Sequence, residues 1–157
     1  MTLTTHALTG ALIGKYISNP YLVIIFSLFA HFTMDHLRHG EYVEVFSKNT
    51  SLKNSGWKVL LDFSIGLIII AILIRFNLNN LTSSEIFNIL LGAFFSILPD
   101  FITSLYWKFR WNFLKKYYAF HSWIHRYPRY APERQWTLRN ALNDITISVL
   151  AIVLFLL

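Results

Sequence analysis

Three stretches of this chain, 57–76, 86–109 and 137–157, are predominantly apolar over about 20 residues or more, the length a helix needs to cross a hydrocarbon core of roughly 30 Å. In hydrocarbon every backbone N–H and C=O must find its partner within the segment, so runs of this kind predict an all-α chain. Composition agrees, because 55% hydrophobic residues against 14% charged ones lies far from the average of soluble domains. The length of 157 residues predicts a single helical membrane domain over 1–157.

Two shorter apolar segments precede these runs. Residues 3–17 form a helical candidate in which His6, Gly10 and Gly14 recur every four residues, a small-residue stripe that permits close helix packing. Asn19-Pro20 is a turn with a helix start behind it, and 21–37 is long enough for most of a crossing. The expectation is therefore a polytopic protein with about five membrane-embedded helices plus an interfacial helix. Residues 40–56, rich in Glu, Lys, Asn, Ser and Gly, are expected to be an exposed loop, and 107–134, aromatic and basic, an interfacial segment. MTLTTHALTG has neither a basic leader nor a small-residue cleavage site, so no removable signal peptide is expected.

If the five segments alternate in direction, Lys15 and Arg75 fall on one side and the other 12 of the 14 basic residues on the opposite side. The positive-inside rule makes that side cytoplasmic and the protein a multi-pass cell-membrane protein. Anionic lipid headgroups are a sufficient partner for the formal charge of +6, and no nucleic-acid partner is expected. The chain has no cysteine, which excludes disulfides, thiolate metal sites and cysteine nucleophiles.

The same alternation gathers polar residues at one depth. His31 and Asp35 in HFTMDHLRHG are spaced i, i+4 and share a helix face, as do His121 and His125 in FHSWIHR. His6 opens the first segment, Asp62 the third and Asp144 the fifth, while Asp100 closes the fourth just after Pro99. A carboxylate within hydrocarbon costs about 2.5–3.5 kcal/mol even on a lenient insertion scale, so several at one level beside paired histidines point to a metal or a proton network. Blander explanations stand beside each: helix termination for Asp100, a favourable helix N-terminal carboxylate for Asp62, a capping histidine for His6, incidental interfacial imidazoles for His121 and His125. His36 and His39 read as a rim, with His39 a possible entrance group. Asp144, Asn140 and Asn143 read as interhelical hydrogen-bonding groups, and Arg38 and Arg126 as headgroup contacts or holders of an anionic substrate group.

With these residues in view, the chain resembles a family of small membrane-bound metal-dependent hydrolases that includes the YdjM-like, LexA-regulated bacterial inner-membrane proteins. The resemblance rests on THALTGALIG near the N-terminus, on HFTMDHLRHG, on ILPDF at 97–101 and on FHSWIH. It implies a helical membrane protein with a His/Asp metal site, whose ligands would be His6, His31, Asp35, Asp100 and one or both of His121 and His125.

The expected function is that of an integral-membrane hydrolase with a divalent-metal site near the cytoplasmic face. Zinc, as one or two ions, suits the His and Asp donors, and Asp62 or Asp100 is the general-base candidate. A small-molecule or lipid-like phosphoester substrate fits the interface and the basic surroundings. Two competing expectations are a small metal or proton transport protein and a non-enzymatic membrane partner with a structural polar cluster.

Overall fold

In the computed structural model, residues 1–41, 52–128 and 131–157 are described, those at 52–55 by backbone alone. Among them the chain is helical and contains no strand. The α-helices are α1 (Leu3–Tyr16), α2 (Pro20–Asp35), α3 (Leu52–Asn77), α4 (Ser83–Phe109), α5 (Lys115–Ile124) and α6 (Leu138–Leu156), with 3-10 turns at Asn112–Leu114 and Pro132–Arg134.

Local chemistry sets most of the boundaries. Thr2 caps α1, Asn19 caps α2 with Pro20 behind it, and Thr137 caps α6, each accepting from the first turn of its helix. Thr82 and Glu85 form a reciprocal capping box at α4, which runs on through Pro99 and stops where Arg110 turns left-handed at φ 55°. The Arg110 guanidinium lies 4.6 Å from the centre of the Trp107 ring.

Among the described residues, three helical stretches, Gly56–Asn77, Ser83–Phe109 and Leu138–Leu156, are long and apolar enough to cross a membrane, fewer than the five expected. The 14 residues of α1 and the 16 of α2 reach only about 21 and 24 Å at 1.5 Å per residue, short of the hydrocarbon thickness. The first of these is the centre of the bundle: α1 packs against α2, α3, α4 and α6. The expected loop over 40–56 is shorter than its composition indicated, because α3 already begins at Leu52; the part at 42–51 lies outside the described residues.

The apolar core joins Ala7, Leu8 and Ala11 of α1 to Ile70 and Leu73 of α3, Ile89 and Ala93 of α4, and Ala151 and Phe155 of α6. The small-residue stripe of α1 is used within the chain. A Cβ on Gly10 would stand 2.2 Å from the Gly92 carbonyl oxygen, and one on Gly14 2.1 Å from that of Asn88. Asn88 also donates its side-chain amide to the carbonyls of Ile17 and Ser18, at 3.0 and 2.9 Å, closing the end of α1 from the neighbouring helix. This contact between α1 and α4 fixes the level of His6 relative to Asp100.

Candidate metal centre

At the polar end of the bundle, His6 from α1, His31 and Asp35 from α2, Asp100 from α4 and His121 from α5 surround one point. Asp35 is the hub. Its Oδ1 lies 3.1 Å from His6 Nε2, and its Oδ2 lies 3.0 Å from His31 Nε2 and 2.9 Å from His121 Nε2. Asp100 closes the ring, with Oδ2 3.7 Å from His6 Nε2 and Oδ1 3.8 Å from His121 Nε2. His6 and His31 are 0% exposed, Asp35 1% and His121 2%.

The second nitrogen of two imidazoles decides what the first can do. His31 Nδ1–H donates to the Ser96 carbonyl at 2.7 Å. The Thr103 hydroxyl donates to the Pro99 carbonyl at 3.0 Å, so its oxygen accepts from His121 Nδ1–H at 2.6 Å. With the proton on Nδ1 in both rings, each neutral imidazole turns an Nε2 lone pair inward. These Nε2 atoms stand 3.2 Å apart and both face the Asp35 carboxylate. Lone pairs and a carboxylate converging in a dry interior need positive charge among them; the buried Met1 ammonium supplies one, 3.0 Å from Asp35 Oδ1, and a metal ion or further protons on the rings would add to it.

Ligand atoms about 2.0–2.1 Å from one zinc cannot be more than about 4.2 Å apart; the pairs given above lie under that limit, and the ligand atoms of each candidate group all lie within 4.8 Å of one another. Two groups with mutually close ligand atoms could hold a metal here: His6, His31, Asp35 and Asp100, and Asp35, His121 and His125.

His125 lies just past the end of α5, whose last helical residue is Ile124. Its Nε2 is 3.6 Å from Asp35 Oδ2, and its Nδ1, buried without a hydrogen bond, is 3.6 Å from Glu41 Oε1. Burial pushes the His125 imidazolium down to about 3, which leaves the ring neutral and able to act as a ligand. Glu41 is a member of the cluster that the sequence did not single out. His39 Nε2 lies 2.9 Å from Glu41 Oε1, and Arg134 pairs with the same oxygen. Although burial opposes it, the His39 hydrogen bond, the Met1 ammonium and the Arg134 charge hold the Glu41 carboxyl well below the usual carboxylate range. His39, Glu41 and His125 form a third group with metal-compatible spacing, joined to the first two through His125.

The structure thus brings together His6, His31, Asp35, Asp100, His121 and His125. It does not bring Asp62 to them. Both Asp62 oxygens accept from the first turn of α1, the Leu3 N–H at 2.7 Å and the Thr4 N–H at 3.2 Å, and its own carbonyl accepts from the Thr4 hydroxyl. Asp144 likewise accepts from the Thr2 N–H at 2.8 Å. Asn140 ties Pro132 and Gln135 to α6, and Asn143 donates to the Arg38 carbonyl. His36, exposed, meets the Ile124 carbonyl at the rim, while His39 is buried inside it. The Tyr117 hydroxyl is buried without a hydrogen bond, and burial first and the Asp100 charge second push its phenol upward.

One cavity of about 950 Å³ opens beside the cluster, at the upper end of the range for small-molecule sites, and Asp100, His121, His125 and Glu41 line its polar end. No family model, curated protein or solved structure matches the chain.

Proposed function

We propose that this protein is an integral-membrane metal-dependent hydrolase whose His/Asp centre binds one or two divalent ions, zinc by its donor set. One observation carries the reading: His31 and His121 have their Nδ1 protons committed to Ser96 and Thr103, and both aim Nε2 at Asp35 beside a cavity. That outer support of metal-binding imidazoles is what orients ligands in metalloenzymes. His6, His31, Asp35 and Asp100 would hold one ion, and Asp35 with His121 and His125 a second.

Bound zinc supplies a water of pKa about 7 and polarises the bond under attack. The residues supply the rest. Asp100, with a side chain 24% exposed and facing the cavity, would hold the ion through one carboxylate oxygen and take a proton from the attacking water with the other. Asp62 is the weaker candidate for this role, because both of its oxygens already serve α1. Arg126 and Arg134 line the same cavity and favour an anionic ester, as in a phosphoester, over a neutral one. The excess of basic residues on this side supports a cytoplasmic location for the centre, and the inner membrane of a bacterium is the setting that follows from the resemblance.

A transport function would need polar groups along a whole transmembrane path, and the run 145–157 of α6 has only Thr146 and Ser148 near its start. The test is elemental analysis of protein purified in detergent, followed by assay on chromogenic phosphoesters. The expected result is at least one zinc, manganese or iron per chain, metal-dependent turnover, and loss of both in His31→Ala. Protein with no stoichiometric metal, or with turnover unaffected by chelation and by His31→Ala, would overturn the reading.

A further inference from the structure

Helices α3 and α4 both pack on α1 but scarcely touch one another. The space between them is the apolar part of the cavity. On α3 the lining is Gly56, Val59, Leu60, Phe63, Leu67 and Ile70, a single stripe at helical spacing. On α4 it is Leu90, Phe94, Ile97 and Phe101, the matching stripe of a helix running the other way. From Ile70 to Gly56 the groove extends roughly 21 Å at 1.5 Å per residue, about two thirds of a hydrocarbon core of roughly 30 Å. Leu60, Leu67, Leu90 and Phe94 are each more than 40% exposed, so no described side chain fills the groove.

The two ends differ in chemistry. The deep end, around Ile70 and Leu90, is wholly apolar. The other end carries Asp100, His121 and His125, with Arg126 and Arg134 beside them. Arg134 is paired with Glu41, whereas the exposed Arg126 guanidinium stacks over the Tyr127 ring at 5.7 Å. A site with a long apolar floor, a side opening between two bilayer-length helices and a polar end at which Arg126 is an exposed cation matches one kind of molecule by charge and by polarity.

We propose that the α3/α4 groove holds one hydrocarbon chain of a membrane amphiphile and that its phosphate headgroup lies at Arg126, within reach of the metal centre. The proposal rests on the hydrolase reading for the fate of the headgroup, but the groove binds the chain without turnover. Within a bilayer the chain exchanges one apolar surrounding for another, so the groove selects by fit along α3 and α4 and by the charge at its polar end, not by removal of the chain from water. A free phosphate has no chain to lie in the groove.

The experiment uses metal-stripped full-length protein in nanodiscs and a single-chain alkyl phosphate with a photoreactive diazirine near the chain end. Peptide mapping is expected to place adducts in 59–70 of α3 and 90–101 of α4. Leu67→Trp with Leu90→Trp, which fills the groove with apolar bulk, should lower this labelling at least tenfold, whereas Ile25→Trp on the exposed face of α2 should not. Arg126→Ala should lower labelling by the alkyl phosphate severalfold without changing labelling by the corresponding alkanol. Adducts spread evenly over α2 and α6, labelling indifferent to the paired tryptophans, or displacement of the probe by inorganic phosphate alone would overturn the proposal. Because the readout needs neither metal nor hydrolysis, failure of the hydrolase reading would show in metal content and turnover, and failure of this one in the adduct map.

Discussion

His31 and His121, ninety residues apart in sequence, bring their Nε2 atoms to 3.2 Å of one another while each gives its Nδ1 proton to a fixed oxygen. The arrangement is set by α4 alone, since Ser96, Pro99 and Thr103 all belong to it. One helix therefore dictates the tautomer of imidazoles contributed by two others.

Thr103→Val tests that dependence. The side chain keeps its shape but no longer accepts from His121 Nδ1–H, so the ring is free to turn or to change tautomer. Loss of such an outer partner lowers metal affinity by about 10–100-fold in comparable centres, and a competition titration with a coloured chelator should read a loss of that size. His121→Gln should lose more than Thr103→Val. Equal affinity of Thr103→Val and the parent would remove the tautomer argument.

Asp62→Asn should separate stability from metal binding. Asp62 accepts two N–H bonds where α1 has no intrahelical partners to offer, and replacing the carboxylate by an amide leaves one acceptor and adds a donor with nothing to meet. A loss of about 1–2 kcal/mol in detergent unfolding is expected, with metal stoichiometry retained. Loss of metal without loss of stability would return Asp62 to the centre.

The helices were legible because long apolar runs and the Asn19-Pro20 start are local signals, and α2, α4 and α6 begin within a few residues of where those signals fall. The number of spans was not, because apolar character alone does not separate a crossing from a short helix buried by its neighbours; α1 is the second kind. Convergence of His6, His31, Asp35, Asp100 and the His121 pair was readable from alternation and charge bias. Glu41 and Thr103 were not, since a lone Glu in a polar stretch and a Thr in an apolar helix carry no mark of their partners. Asp62 looked like a site residue for the same reason it makes a good cap, a carboxylate at the start of an apolar run.

Gly10→Ala should be poorly tolerated and Gly66→Ala much less so. At Gly10 the new Cβ meets the Gly92 carbonyl at 2.2 Å, a backbone atom that cannot turn aside, and α1 must move away from α4. Overpacking of this kind costs about 1–3 kcal/mol or more. At Gly66 the nearest atom is Thr4 Cα at 3.1 Å, which a shift of a few tenths of an ångström relieves. Thermal unfolding in detergent should show a large drop in midpoint for the first and a small one for the second, and metal content should fall with the first because His6 shares the displaced helix. Similar midpoints for the two would mean that α1 and α4 are farther apart than described.

Acid should destabilise the metal-free protein through His125. In the unfolded chain this histidine takes a proton below its ordinary 6.5, whereas in the fold burial keeps it neutral down to about 3. Between those values the unfolded state binds the extra proton, so stability rises with pH across the window: the contribution is complete above 6.5 and is lost progressively as pH falls toward 3. Glu41 acts in the same sense over the lower part, because its folded carboxyl is held below its ordinary 4.5. One proton corresponds to a slope of about 1.4 kcal/mol per pH unit. Unfolding of chelator-treated protein measured from pH 7 to pH 4 should show this decline, and His125→Gln, which cannot titrate there, should flatten it by about one proton. A decline as steep in His125→Gln as in the parent would assign the acid sensitivity to other groups and would mean that His125 is less buried than the geometry describes.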